Sequence, residues 1–332
     1  MTATPQLIGV VAGLVAAVLY TSLATRTLLA VGLFALSPLP ILLAGFGWGV
    51  SAAQLAFLTS AVLVGIALGL GGATSYAIAV GVPSLVLSHL MLLHRVLPPE
   101  VRDGPAQANA LPSVEWYPAG RIIAWTAFMA GVVVAAALGL FGDIDTYRKA
   151  VREMFPAVLK LLQPVLGDAP DQGRIDRMAE NLAYFTLPVS AAVTWLLMML
   201  ANVWLAAKSA AISGQLTRPW PALAHLDYPP LFTAGLFAAI GFAFMPGLTG
   251  IMAMGFVGAF SLAFLLMGLM VIHVLLAGSR LKHVFLTGIY LGIVINPWVA
   301  PAIVLLGLAE PFFELRRRAL QRSTPPENPG GA

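Results

Sequence analysis

Of 332 residues, 59% are hydrophobic and 10% charged, against roughly 25% charged in a soluble domain; a mean hydropathy of +0.90 over the whole chain excludes both a soluble fold and a soluble fold with one anchor. There is no cysteine, which excludes disulfides and thiolate metal sites. The net charge of +4 does not make a nucleic-acid surface, because the basic residues sit in loops flanking apolar runs, where orientation and anionic lipids account for them.

No Asp, Glu, Lys or Arg occurs between Arg26 and Arg95, or between Asp227 and Arg280. Runs of that length hold several crossings each, at about 20 residues per helix. Charges and Gly/Pro clusters divide the chain into helical spans near 7–22, 27–46, 51–70, 73–93, 121–141, 184–207, 230–246, 249–277 and 284–308. That makes nine crossings, or eight if 7–46 is one broken element. The start, Met-Thr-Ala-Thr-Pro-Gln, lacks a basic region and reads as the approach to the first span, not as a cleaved signal. The spans are too long and too uniformly apolar for barrel strands, so the predicted fold is an all-α polytopic transmembrane bundle. It forms a single domain over 1–310, with a basic, partly disordered tail over 311–332. Pro38 and Pro40, Pro83, Pro297 and Pro301 interrupt spans. Each removes a backbone donor, which makes either a packing kink or a cavity lining.

Two connections are long. The first, 94–120, contains Pro98-Pro99, Pro105 and Pro112 and reads as irregular. The second, 142–183, reads as an amphipathic interfacial hairpin. Val151, Met154, Phe155, Val158, Leu159, Leu162, Val165 and Leu166 share one face; Lys149, Arg152, Glu153, Lys160 and Gln163 lie opposite. Asp171 is the candidate N-cap of its second helix. The Lys/Arg balance favours a cytoplasmic C-terminus, with Arg316, Arg317 and Arg318 as its anchor.

No catalytic set is visible. The histidines (His89, His94, His225, His273 and His283) make no metal pair, and HExxH, P-loop and GxSxG motifs are absent. Every carboxylate reads as lying in or beside a loop. The chain is therefore read as not an enzyme, with no cofactor and no metal. Polar residues within spans are few: Gln54, Ser88, His89, Asn202, His273 and Asn296. Of these, Asn202, His273 and Asn296 are the candidate ligands of a small molecule, with interhelical packing as the alternative. Gly9, Gly13 and Ala17, with Ala12 and Ala16 beside them, form a small-residue ridge fit for close helix packing or a partner contact. Glu115, Trp116, Tyr117 and Arg121 form an interfacial anchor in which Glu115 can pair with Arg121.

That string, Glu115-Trp116-Tyr117-Pro118-Ala119-Gly120-Arg121, together with the span layout, resembles the YybS-like family of bacterial predicted membrane proteins, over most of 7–310. More distantly, the spans resemble those of the substrate-binding components of energy-coupling-factor vitamin transporters and of rod-shape scaffold subunits. The first resemblance implies a bacterial inner-membrane protein without an assigned activity. The second implies that Gly9, Gly13 and Ala17 meet an energising subunit, although those relatives have about six spans. Two function readings follow. One is a small-molecule-binding transport component in the lipid bilayer, energised by other membrane subunits; it requires the polar residues to converge. The other is a scaffold or regulatory subunit of an envelope or division complex, in which each polar residue is satisfied by backbone. A membrane enzyme would need Glu115 and Asp227 to meet.

Overall fold

The computed structural model describes residues 4–96, 114–166, 171–220 and 226–323, and the side chains of these except 161–166, 320, 322 and 323. Leu162, Val165 and Leu166 of the amphipathic face, His225, the prolines at 98, 99, 105 and 112, and the tail beyond Ser323 thus fall outside what is described. The described chain is helical apart from one short hairpin. It divides into two compact units, one of residues 1–129 and 194–220, the other of 130–193 and 221–332.

In the first unit, Thr4 caps α1 (Pro5–Thr21), with Pro5 in the first turn where its missing N–H costs nothing. Gly9 and Gly13 turn toward α4 (Val50–Tyr76). A Cβ on Gly9 would lie 2.8 Å from the Ala52 carbonyl oxygen, and one on Gly13 2.5 Å from that of Ala56. The small-residue ridge, with Ala16 and Ala17 also buried, therefore faces a helix of the same chain.

Residues 27–46 form α2 (Leu28–Ala35) and α3 (Leu39–Trp48), joined by a turn into one membrane-length stretch, Leu28–Trp48. Ser37 and Pro38 stand at the break, where prolines 38 and 40 withdraw two backbone donors within one turn.

Gly49 (φ +94°) then opens α4. A turn of π-helix, Ala77–Gly81, joins α4 to α5 (Val82–Leu92). The stretch Val50–Leu92 is 43 residues long, yet it is not one rod. At Gly69 the backbone leaves helical space (φ +74°, ψ −177°), a conformation open mainly to glycine. The two arms fold back on each other. Gly65 meets Ala73, the Tyr76 hydroxyl donates to Ser60 Oγ at 2.7 Å, and Gly81 lies against the Phe57 ring. Residues 57 and 81 would be about 36 Å apart in a straight helix. The sequence boundary between 70 and 73 thus lies at Gly69.

The connection read as irregular contains a two-stranded antiparallel hairpin, β1 (His94–Val96) and β2 (Val114–Trp116). Its register sets Arg95 opposite Glu115.

In the second unit, α7 (Ile144–Leu166) and α8 (Gln172–Asn181) form the expected helical pair. The Asp171 carboxylate caps α8, accepting from the Arg174 N–H at 2.7 Å. Tyr147, Val151 and Phe155, spaced at i, i+4 and i+8, are buried, and the Tyr147 hydroxyl donates to the Ala183 carbonyl. A π-turn, Leu182–Thr186, continues α8 into α9 (Leu187–Ile212). α10 (Pro230–Ala243) and α11 (Leu248–Leu275) pair antiparallel about Gly247 (φ +78°), with Phe232 edge-on to Phe260 and tilted against Phe264.

The expected span 284–308 is two helices, α12 (Lys282–Ile295) and α13 (Val299–Phe313), broken at Asn296-Pro297-Trp298. Pro301 falls in the first turn of α13, where it interrupts nothing. Ile303, Gly307 and Glu310 are the buried stripe of α13. A Cβ on Gly307 would overlap the Phe264 carbonyl oxygen, and one on Gly268 that of Ile303; only glycine permits this crossing of α11 and α13. The segment read as a tail is helical through α14 (Leu315–Ser323). Together with α6 (Ala119–Gly139), the described residues hold six helical stretches long and apolar enough to cross a membrane, with Leu28–Trp48 and Val50–Leu92 each counted as one, and α10, α12 and α13 are shorter.

Candidate functional site

Of the residues expected to hold a small molecule, Asn202 lies in the first unit and His273 and Asn296 in the second. Asn202 is buried in the first unit, where its Nδ2 donates to the carbonyls of Ala35 at 2.8 Å and Met198 at 2.7 Å. His273, in the second unit, is tied through Nδ1 to its own helix at the Leu269 carbonyl. Asn296 is exposed, and its Oδ1 accepts from the Trp298 N–H across the proline break. Each bonds to backbone, Asn202 Oδ1 is buried without a partner, and no hydrogen bond among the described residues joins any two of them.

The anchor string is rearranged. Glu115 pairs with Arg95 at 2.6 Å, not with Arg121, because strand register puts the first two opposite each other. Arg121 lies over the Tyr117 ring, and the Trp116 ring packs tilted against His94. The Tyr117 carbonyl accepts from Arg218, which also reaches the Met91 carbonyl. Arg218 is 6% exposed, and desolvation pulls its guanidinium below the usual arginine range.

The charged residues that do converge lie in the second unit, where α13 ends. Gly307 brings α13 hard against α11, and one turn later the same stripe carries Glu310, 5% exposed. Glu314 closes α13 in the left-handed region (φ +48°) and turns the chain into α14. The Glu310 carboxylate caps that new helix. It accepts from the Leu315 N–H at 2.9 Å, the Arg316 N–H at 3.2 Å and Arg316 Nε at 2.8 Å. Arg316, 3% exposed, donates onward to the Leu226 carbonyl at 2.8 Å and Asp227 Oδ1 at 2.7 Å. The hydroxyl of the next residue, Tyr228, donates to the Ala263 carbonyl of α11. Glu310 and Arg316 thus lock α13, α14 and the entry to α10 into one elbow.

Beside that elbow opens a pocket of about 880 Å³. Phe237 of α10, Met267 of α11 and Phe312 of α13 supply its apolar walls, and Asp227, Glu314 and Arg317 its polar mouth. The Asp227 side chain is 81% exposed, so one carboxylate edge remains open to a ligand. Glu314 and Arg317 form an ion pair at the rim. Among the described residues, three carboxylates face two guanidiniums.

Sequence reasoning missed Glu310, which it placed with the loop carboxylates. The available signal was position: the apolar run continues through Phe312 and Phe313, so Glu310 falls inside it, six residues from Arg316. A charge there must be paired or functional.

The fold defines a helical chain with several membrane-length apolar helices. Comparison with protein-family models, with curated proteins and with solved structures finds no match.

Proposed function

We propose that this chain is a multi-pass protein of the bacterial cytoplasmic membrane, crossing it eight or nine times with its C-terminus in the cytoplasm. We propose further that it serves as the small-molecule-binding component of a transport system energised by separate subunits. The pocket beside the Glu310–Arg316 elbow carries this reading. Small-molecule sites are concave, mostly apolar, and bear a few placed polar groups in a volume of about 300–1,000 Å³; this one matches in size and lining. Its excess of one carboxylate and the open edge of Asp227 favour an amphiphile whose apolar body fills the pocket and whose positive group meets Asp227. The fold-back at Gly69 supports two crossings within Val50–Leu92. The YybS-like resemblance agrees with this placement in the membrane.

One observation favours the scaffold reading instead. Asn202 Nδ2, the His273 ring and Asn296 Oδ1 each bond to backbone, as interhelical packing residues would. Gentle extraction followed by mass spectrometry of co-purifying proteins separates the two. Recovery of a transport ATPase with the chain supports the transport reading; recovery of cell-wall or division proteins alone replaces it with the scaffold reading.

A further inference from the structure

We infer that the occupant of the pocket beside the Glu310–Arg316 elbow is a phospholipid with a primary-amine headgroup, such as phosphatidylethanolamine, which enters from the surrounding bilayer and not from water. The inference rests on the reading of that pocket as a ligand site and names what fills it.

The lining is graded from charged to apolar along α10. Asp227 stands just before that helix and is the last charge before the run that ends at Arg280. Asp227, Glu314 and Arg317 are accessible charged groups, and such groups belong in the headgroup zone, not in hydrocarbon. From this mouth the lining follows α10 through Thr233 and Ala234 to Phe237. The rise from Pro230 to Phe237 is about 10.5 Å, a third of a hydrocarbon layer of about 30 Å. The apolar walls are open on their outer side: Phe237 is 57% exposed and Phe312 70%. In a bilayer such side chains face acyl chains. A lipid can therefore bring its head to the mouth and lay its chains along α10 without leaving its leaflet.

Charge at the mouth selects the head. Among the described residues of the lining, the carboxylates of Asp227, Glu310 and Glu314 outnumber the guanidiniums of Arg316 and Arg317, which disfavours an anionic lipid. The mouth nevertheless presents both signs. Asp227 gives Oδ1 to Arg316 and keeps an exposed edge for an ammonium. α10 opens on Pro229 and Pro230 without a side-chain cap, so the positive end of its dipole stands in the lining at Pro230 and Thr233, where a phosphate is favoured. Phosphoethanolamine carries both charges on one head. Its primary ammonium donates charge-assisted hydrogen bonds to a carboxylate, whereas the quaternary ammonium of choline has no N–H to give.

Native mass spectrometry of the delipidated full chain in detergent tests it, in titrations with phosphatidylethanolamine, phosphatidylcholine and phosphatidylglycerol of identical acyl chains. The expected result on wild type is one phosphatidylethanolamine per chain, bound about tenfold more tightly than the other two, the worth of one charge-assisted hydrogen bond. In Asp227→Asn the three lipids bind alike, and water-soluble glycerophosphoethanolamine, the same head without chains, leaves the lipid in place. Equal binding of the three lipids to wild type overturns the inference without recourse to any variant. So does a preference that survives Asp227→Asn, or displacement of the lipid by an equal concentration of the soluble head. The two readings fail separately: a non-lipid adduct that Ala234→Trp removes overturns the lipid and leaves the ligand site, whereas no adduct of any kind overturns both.

Discussion

Glu310 combines three roles in one side chain. It neutralises Arg316, caps α14 and fixes the angle between α13 and α14. Removing one member of a buried pair leaves the other uncompensated, at a cost of about 3–5 kcal/mol. Glu310→Ala is therefore expected to lower stability by about that amount, read by denaturant titration in detergent. Asp227→Asn, at the exposed end of the same network, costs much less. A second residue-scale prediction concerns pH. Asp143 precedes α7 and accepts from both the backbone N–H and the hydroxyl of Thr146 at 2.8 and 2.7 Å. These bonds, the backbone one first, hold its carboxyl below the usual aspartate range. A folded pKa lower than the unfolded one means the unfolded state binds protons more readily. The stabilisation is full above the ordinary aspartate value of about 3.9 and is lost as pH falls through the folded value. Amide exchange in the first turn of α7, corrected for intrinsic rates, should accelerate over that fall. In Asp143→Asn, which caps without titrating, it should not. Arg218→Ala strands the Tyr117 and Met91 carbonyls, and a loss of about 1–3 kcal/mol is expected in the same titration.

At the scale of elements, the fold-back at Gly69 makes a sharp prediction. An ideal Cβ on Gly65 lies 3.4 Å from that of Ala73, close to the usual disulfide separation of about 3.8 Å. In a straight helix the two positions would be about 12 Å apart. The chain has no native cysteine, so Gly65→Cys/Ala73→Cys should cross-link on mild oxidation. Persistence of both free thiols would show α4 to be a single rod. What could be read at this scale depended on whether the signal was local. The cap at Asp171 and the boundary between the spans 230–246 and 249–277 were legible because both are chemistry of a few consecutive residues. The break at Asn296-Pro297 was visible as a proline, but whether the helix bends or stops there depends on what α12 and α13 pack against. Glu115 and Arg95 are 20 residues apart, and only strand register joins them. The ridge of Gly9 and Gly13 showed that a close contact exists, not that α4 supplies it.

At the scale of the whole molecule, sequence composition carried the class. The charge-free runs return as helices whose large side chains remain outward. Leu28 is 91% exposed, Phe244 86%, Leu70 85% and Val294 83%. Such surfaces need lipid, so the chain should aggregate when detergent is withdrawn. The pocket was not legible because it forms where α10, α11 and α13 meet the elbow, and no local pattern encodes that meeting. Native mass spectrometry of the protein released from detergent tests its role most directly, on wild type and on Ala234→Trp, which puts a bulky ring into the cavity that Ala234 lines. We expect a discrete small-molecule adduct on wild type that is lost in the variant. Bare protein masses for both, or an adduct that Ala234→Trp leaves in place, would contradict a ligand site beside Glu310 and Arg316.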